Sequence, residues 1–160
     1  MKETEEYEYE REVLERKCMA SNVITTRLCR VQDSGIPGAG KGLFAKTFVS
    51  KNEHVGNYCG KIVSRGDTRD VAIENARYVE DREYLMLVRQ HMQPGFVVLD
   101  GKECNILVKY INSPLNTRKQ PNVRCSEYGK IEAIRNINRG EELLIDYGPD
   151  YQIPIFIRRN

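Results

Sequence analysis

Short apolar runs, broken by Gly, Pro and Asn, set the rhythm of this 160-residue chain. "LFAKTFV", "EHVGNYCGKIV", "FVVLD", "ILVKYIN", "VRCSEY", "KIEAIRNI" and "ELLIDY" are rich in β-branched and aromatic residues, the composition that suits short strands. From "VITTRLCRVQDS" onward the pattern predicts many such strands joined by long irregular connections. Two windows depart from it. Residues 3–19 carry strong helix formers with Tyr9, Val13 and Leu14 on a common face, which predicts a helical leader. Residues 68–92 place Ala72, Ala76, Val79, Tyr84, Leu87, Val88 and Met92 along one side and close on "MQPG", which predicts a helix inserted among the strands.

A chain of this length most simply makes one domain with its own core. The expected division is a helical leader over residues 1–24, a mainly β domain over 25–151 and a short tail over 152–160. With 40% apolar and 30% charged residues the composition is that of an ordinary soluble domain. No apolar run is long enough to span a bilayer, and the acidic N-terminus is unlike a secretory signal, so an intracellular protein without a membrane partner is expected. Residues 1–17 hold seven acids and four bases, leaving 21 bases against 16 acids in the remainder. That mild asymmetry falls short of the concentrated basic face of a nucleic-acid reader. Five scattered cysteines, none in a C-x-x-C pair, and the isolated His54 and His91 give no zinc spacing. They read as reduced, structural thiols.

"GIPGAGKG", residues 35–42, has the glycine and lysine spacing of a phosphate-binding loop. Its eighth position is Gly42, where that loop needs Ser or Thr for magnesium, and β-like runs follow where a helix should open. Another ligand must account for the glycines. Three more stretches stand out: "NYCG", with a tyrosine beside a glycine; "YINSPLNTRKQPN", with Asn, Ser and Pro after an apolar run; and "RGEELLIDYG". Singly, each also reads as an ordinary strand end or turn.

In order, "AGKGLFA", "YCG", a helix-containing insert, "KYIN…PN" and "GEELLIDYG" resemble the SET-domain family of protein lysine methyltransferases, from about Arg27 to Tyr151. The resemblance implies a fold of several small sheets with a C-terminal segment threaded as a pseudoknot, bringing Asn112 beside Tyr147. It implies S-adenosyl-L-methionine as cofactor, held by Ala39, Gly40 and Lys41, where small residues let backbone approach closely, and by Asn112 and Ser113. It further implies Tyr58 and Tyr147 as catalytic tyrosines, with Ile145 beside them in the lysine channel, and no metal. The substrate would be a basic, extended protein segment such as a histone tail, docked by strand addition, and the location nuclear.

The chemistry explains the tyrosines. Attack of the lysine nitrogen on a sulfonium methyl requires a neutral, in-line amine. A free lysine titrates near about 10.4, and an aromatic-walled channel disfavours its charged form. Two positive charges roughly 6 Å apart at an effective dielectric of about 20 repel by about 3 kcal/mol, about two pKa units. Glu141, Glu142 and Asp146 are expected to be solvated or ion-paired and outside the chemistry.

The match departs in places. Ser113 stands where a histidine usually follows the asparagine, and residues are inserted before Pro121-Asn122. Ile145 lies where many members carry Phe or Tyr, which implies a roomier channel and di- or trimethylation. A second reading is a SET-like module that binds peptide or protein and transfers methyl poorly.

Overall fold

The computed structural model describes residues 2–80, 84–114 and 117–146. A long helix α1 (Lys2–Leu28) leads into strands β1 (Cys29–Asp33) and β2 (Lys41–Ala45), followed by β3 (His54–Asn57) and β4 (Lys61–Gly66). A short helix α2 (Arg69–Asn75) precedes β5 (Leu85–Arg89) and β6 (Phe96–Asp100). A 3-10 turn (Leu107–Tyr110), β7 (Val123–Cys125) and β8 (Lys130–Ala133) complete the order. The strands form separate antiparallel sheets: β1-β2, β3-β8-β7 and β4-β6-β5. This is the mainly β architecture of several small sheets, with a helical insert, that the sequence leads one to expect.

The helices differ from expectation at their ends. α1 continues to Leu28, so "VITTRL" is helix where strand was expected. Tertiary contact overrides the β-branched composition there. Thr25 Oγ1 donates to the Val55 carbonyl at 2.8 Å, and Ser21 Oγ donates to the Asn57 carbonyl while accepting from its N–H, each at 2.8 Å. These bonds seat the last turns of α1 on β3. Residues 4–12, by contrast, are exposed on every side.

The helix expected over residues 68–92 is cut short. Thr68 caps α2 by accepting from the Val71 N–H at 3.2 Å, and Ala72 and Ala76 are fully buried as the pattern required. Residues 85–88, however, are buried on both faces as strand β5, paired to β6 from Leu85 opposite Asp100 to Arg89 opposite Phe96. An unbroken apolar run does not separate a buried strand from a helix by period, and here sheet pairing decides. "MQPG" closes the β5-β6 hairpin, with Gln90 N–H donating to the Gly95 carbonyl at 3.1 Å. "ILVKYIN", expected as strand, forms the 3-10 turn, with the Ile111 N–H on the Val108 carbonyl at 3.1 Å.

The segment 142–145 joins no sheet of its own. It makes an antiparallel bridge from Glu142 to Phe44 and parallel bridges from Leu144 to Asn112 and Ile145 to Val123. Its Leu143, Leu144 and Ile145 are buried among β2, β7 and the loop after the 3-10 turn. Residues distant in sequence are thus threaded side by side, as the pseudoknot expectation required.

Candidate functional site

The glycine-rich loop, Asn112 and the threaded segment meet at one junction. Lys41 opens β2, so a strand follows the loop and the phosphate-loop reading fails on structure as well. The loop closes on itself through Ser34 N–H to the Gly40 carbonyl at 2.8 Å and Ala39 N–H to the Ile36 carbonyl at 3.1 Å. Gly38 and Gly40 hold φ of 77° and 72°, a left-handed backbone that glycine adopts without penalty. A side chain built at either would meet nothing within 4 Å, so the loop presents bare backbone to open space.

Asn112 is buried behind that loop. Its amide donates to the Lys41 carbonyl at 2.9 Å and to Glu142 Oε2 at 3.3 Å, and its own carbonyl accepts from the Ile145 N–H at 2.9 Å. The structure therefore gathers Ala39, Gly40, Lys41, Asn112 and Ile145 at one place. Ser113 follows, half-buried. Lys41 points its amine outward to Asp33 at 2.7 Å, which holds that carboxyl below its ordinary range.

Glu142 is the residue that sequence reasoning misjudged. It was expected to be solvated or ion-paired; it is 7% exposed and accepts from uncharged donors. Ser34 Oγ donates to Oε2 at 2.7 Å, the Gly35 N–H to Oε1 at 2.8 Å, and Asn112 Nδ2 to Oε2. One carboxylate thus ties the glycine loop to the asparagine. The signal lay in Gly42, whose added Cβ would sit 2.4 Å from Glu142 Oε2. Glu141 is as expected, paired with Arg135 at 2.9 Å, and Asp146 is exposed.

Asn122, of the "PN" motif, fastens the threaded segment from its other side. Its Nδ2 donates to the Glu142 carbonyl and its Oδ1 accepts from the Leu144 N–H, both at 2.8 Å. The inserted residues before it reach the glycine loop as well. A Cβ at Gly35 would lie 3.0 Å from Lys119 Nζ and 3.5 Å from Glu142 Oε1.

Tyr58 follows β3 with its ring buried, and its hydroxyl donates to the Tyr84 carbonyl. Its N–H donates to the Gly129 carbonyl at 2.8 Å, and a Cβ at Gly101 would come within 3.0 Å of its hydroxyl. It is a firmly held aromatic wall between β3 and the start of β5. Tyr147, expected as the second catalytic tyrosine, lies outside the described residues, as do the tail residues 152–160.

Residues 40–148 match the SET domain family. The chain is 31% identical over 119 residues to a zebrafish (Danio rerio) protein named N-lysine methyltransferase KMT5A-A, an alignment covering 71% of this chain and 33% of that one. It therefore spans about a third of the length of the curated relative it matches. Among solved structures, the methyltransferase domain of human PR domain-containing protein 2 superposes with a TM-score of 0.54 at 18% identity, covering 78% of this chain and 82% of that one. The Chaetomium thermophilum Polycomb Repressive Complex 2, ctPRC2, in an autoinhibited conformation bound to S-adenosylmethionine, superposes with a TM-score of 0.50 at 25% identity, covering 82% of this chain and 16% of that one. Ordered motifs, small sheets, a threaded C-terminal segment and a match over most of the chain agree: it belongs to the SET-domain family.

Proposed function

We propose that this chain transfers a methyl group from S-adenosyl-L-methionine to the side-chain amine of a lysine in a protein substrate, a histone tail in a nuclear setting. The observation that carries the reading is the junction at which Asn112 binds the Lys41 carbonyl on one side and the Ile145 N–H on the other. It places a bare glycine loop beside the segment that runs into Tyr147. The residues present suit the cofactor: Gly38 and Gly40 offer backbone without side chains facing open space, and a buried asparagine, held through its side-chain amide, backs them. Ala39, Gly40, Lys41, Asn112 and Ser113 are the residues that would hold it. The bound cofactor would supply an electrophilic methyl on a sulfonium.

This chain's own residues would prepare the amine. Tyr58, with its hydroxyl already committed to the Tyr84 carbonyl, would act as an apolar wall that keeps water from the amine and so favours its neutral form. Tyr147 would orient the amine through its hydroxyl and ring. Ile145, an aliphatic side chain without a hydroxyl to hold a water, would leave room for a second and third methyl.

The test is transfer of labelled methyl to a panel of histones and basic peptides, with Tyr147→Phe as control and mass analysis of the product. The expected result is lysine labelling that progresses beyond the monomethyl state and is largely abolished in the mutant. Near wild-type labelling by Tyr147→Phe would overturn the assigned role, and a product stopping at monomethyl-lysine would overturn the assignment to Ile145. Absence of cofactor binding would instead favour the peptide- or protein-binding module, whereas cofactor binding without transfer would point to a substrate or partner missing from the panel.

A further inference from the structure

Gly35 and Gly42 of "GIPGAGKG" lie outside the stretch assigned to the cofactor, and neither has the left-handed φ of Gly38 and Gly40. Conformational freedom is therefore not what keeps them. A Cβ at Gly42 would sit 2.4 Å from Glu142 Oε2, 3.0 Å from its Cδ and 3.2 Å from Ser34 Cβ, so Gly42 leaves the recess that the Glu142 side chain fills. Gly35 supplies a donor to the same recess. Both carboxylate oxygens accept there: Oε1 from the Gly35 N–H at 2.8 Å, and Oε2 from Ser34 Oγ at 2.7 Å and Asn112 Nδ2 at 3.3 Å. The loop with the spacing of a phosphate clamp does bind an anion, and that anion is the chain's own.

The bonds continue beyond the carboxylate. Ser34 Oγ accepts from the Ile36 N–H at 3.0 Å while it donates to Oε2, the Ile36 carbonyl accepts from the Ala39 N–H at 3.1 Å, and the Ser34 N–H binds the Gly40 carbonyl at 2.8 Å. A run of hydrogen bonds thus leads from Glu142 through Ser34 to Ala39 and Gly40. On its other side the same carboxylate holds the Asn112 amide, which also binds the Lys41 carbonyl at 2.9 Å. We infer that Glu142 is a positioning residue for the cofactor site, an assignment that rests on the methyl-transfer reading. It touches no ligand; it fixes the glycine loop in register with Asn112 and so sets the shape of the backbone surface that S-adenosyl-L-methionine would meet.

This role needs both the acceptor character and the length of glutamate. A glutamine of the same shape would turn its amide NH2 toward either the Gly35 N–H or Asn112 Nδ2, and in each orientation two donors would face each other. Neither protein donor can reverse. The first belongs to the backbone, and turning the Asn112 amide would give up its bond to the Lys41 carbonyl. Aspartate keeps two acceptor oxygens but is one methylene shorter. The backbone at 142 cannot advance to make up the difference, because its carbonyl is held by Asn122 Nδ2 at 2.8 Å and the residue is bridged to Phe44.

The test is calorimetric titration of S-adenosyl-L-methionine into the intact chain and into Glu142→Gln, Glu142→Asp and Ser34→Ala, each held well below its own melting temperature. Where every molecule is folded, a purely structural role lowers the melting temperature and leaves the dissociation constant alone, whereas a positioning role raises the constant. Binding is expected to weaken roughly tenfold in both Glu142 variants and roughly threefold in Ser34→Ala, which loses one of the bonds to the carboxylate. The double mutant Ser34→Ala/Glu142→Gln should bind no more weakly than Glu142→Gln alone, because the two changes break the same link. Ser34→Ala decides the question if a Glu142 variant does not fold. Binding as tight as that of the intact chain in folded Glu142→Gln or in Ser34→Ala, or additive losses in the double mutant, would overturn the inference and leave the cofactor reading standing. No binding by the folded intact chain would overturn both.

Discussion

Two buried seams hold distant parts of this chain together, and they are built from opposite chemistry. At the junction, a carboxylate and two asparagines bind the glycine loop to the threaded segment: Glu142 to Ser34 and Gly35, Asn112 to Lys41, and Asn122 to Leu144. At the helix seam, hydroxyls and one amide carry the contact, with Ser21 and Thr25 on β3 and Asn22 on the 3-10 turn. The first depends on every polar group being satisfied, because a buried donor without a partner costs about 1–3 kcal/mol. The second has weaker individual groups and is backed by apolar packing of the helix. A seam closed by a buried carboxylate tolerates the loss of a partner less well than one closed by neutral hydroxyls.

The largest break in this contrast is expected from Glu142→Ala. It strands the Ser34 hydroxyl, the Gly35 N–H and the Asn112 amide, and should cost about 3 kcal/mol or more in denaturant unfolding. Gly42→Ala drives a methyl toward the same carboxylate and should itself destabilise. The double mutant should then cost less than the two singles together, since the clash vanishes with its partner. Strict additivity would show that Gly42 is kept for another reason.

A pH titration of stability reads the buried thiols outside both seams next. Burial pushes Cys18, Cys29 and Cys125 each up to about 12. An unfolded thiol loses its proton near about 8.5, so above that pH the unfolded chain binds fewer protons than the folded one. This part of the stability is fully present below about pH 8.5 and falls as pH rises toward 12. Replacing Cys29 and Cys125 by Ala should flatten the alkaline fall in denaturation midpoints, and an unchanged slope would contradict the assignment.

Ser21→Ala should cost about 1–2 kcal/mol, a smaller effect confined to the docking of α1, and hydrogen exchange should show β3 amides opening faster with the junction unaffected. The exposed N-terminal half of the helix sets the floor. Tyr7, 59% exposed, should tolerate Tyr7→Ser within about 0.5 kcal/mol.

The sequence made the order of motifs legible, because glycine loop, "YCG", "KYIN…PN" and "GEELLIDYG" each leave a local mark. The meeting of Asn112 with Lys41 and Ile145 was legible only through the family resemblance, since nothing local says that residues 41, 112 and 145 touch. Glu142 was hidden for the same reason: "EE" reads as a solvated pair, and only the threaded backbone sends the second carboxylate inward while the first stays with Arg135. Residues 85–88 were ambiguous in a different way, because an apolar run buried on both faces has no period to read. The continuation of α1 through "VITTRL" rests on side-chain bonds from Ser21 and Thr25 to β3 that no propensity scale contains.

In the function proposed above, the junction around Asn112 would form one wall of an S-adenosylmethionine site. Calorimetric titration of the cofactor into the intact chain and into Asn112→Ala, with thermal melting to establish that the mutant remains folded, tests it most directly. Saturable binding to the intact chain is expected, with at least a tenfold loss, about 1.4 kcal/mol, in a folded Asn112→Ala. Binding of equal strength in the two proteins, or none in the folded intact chain, would contradict it.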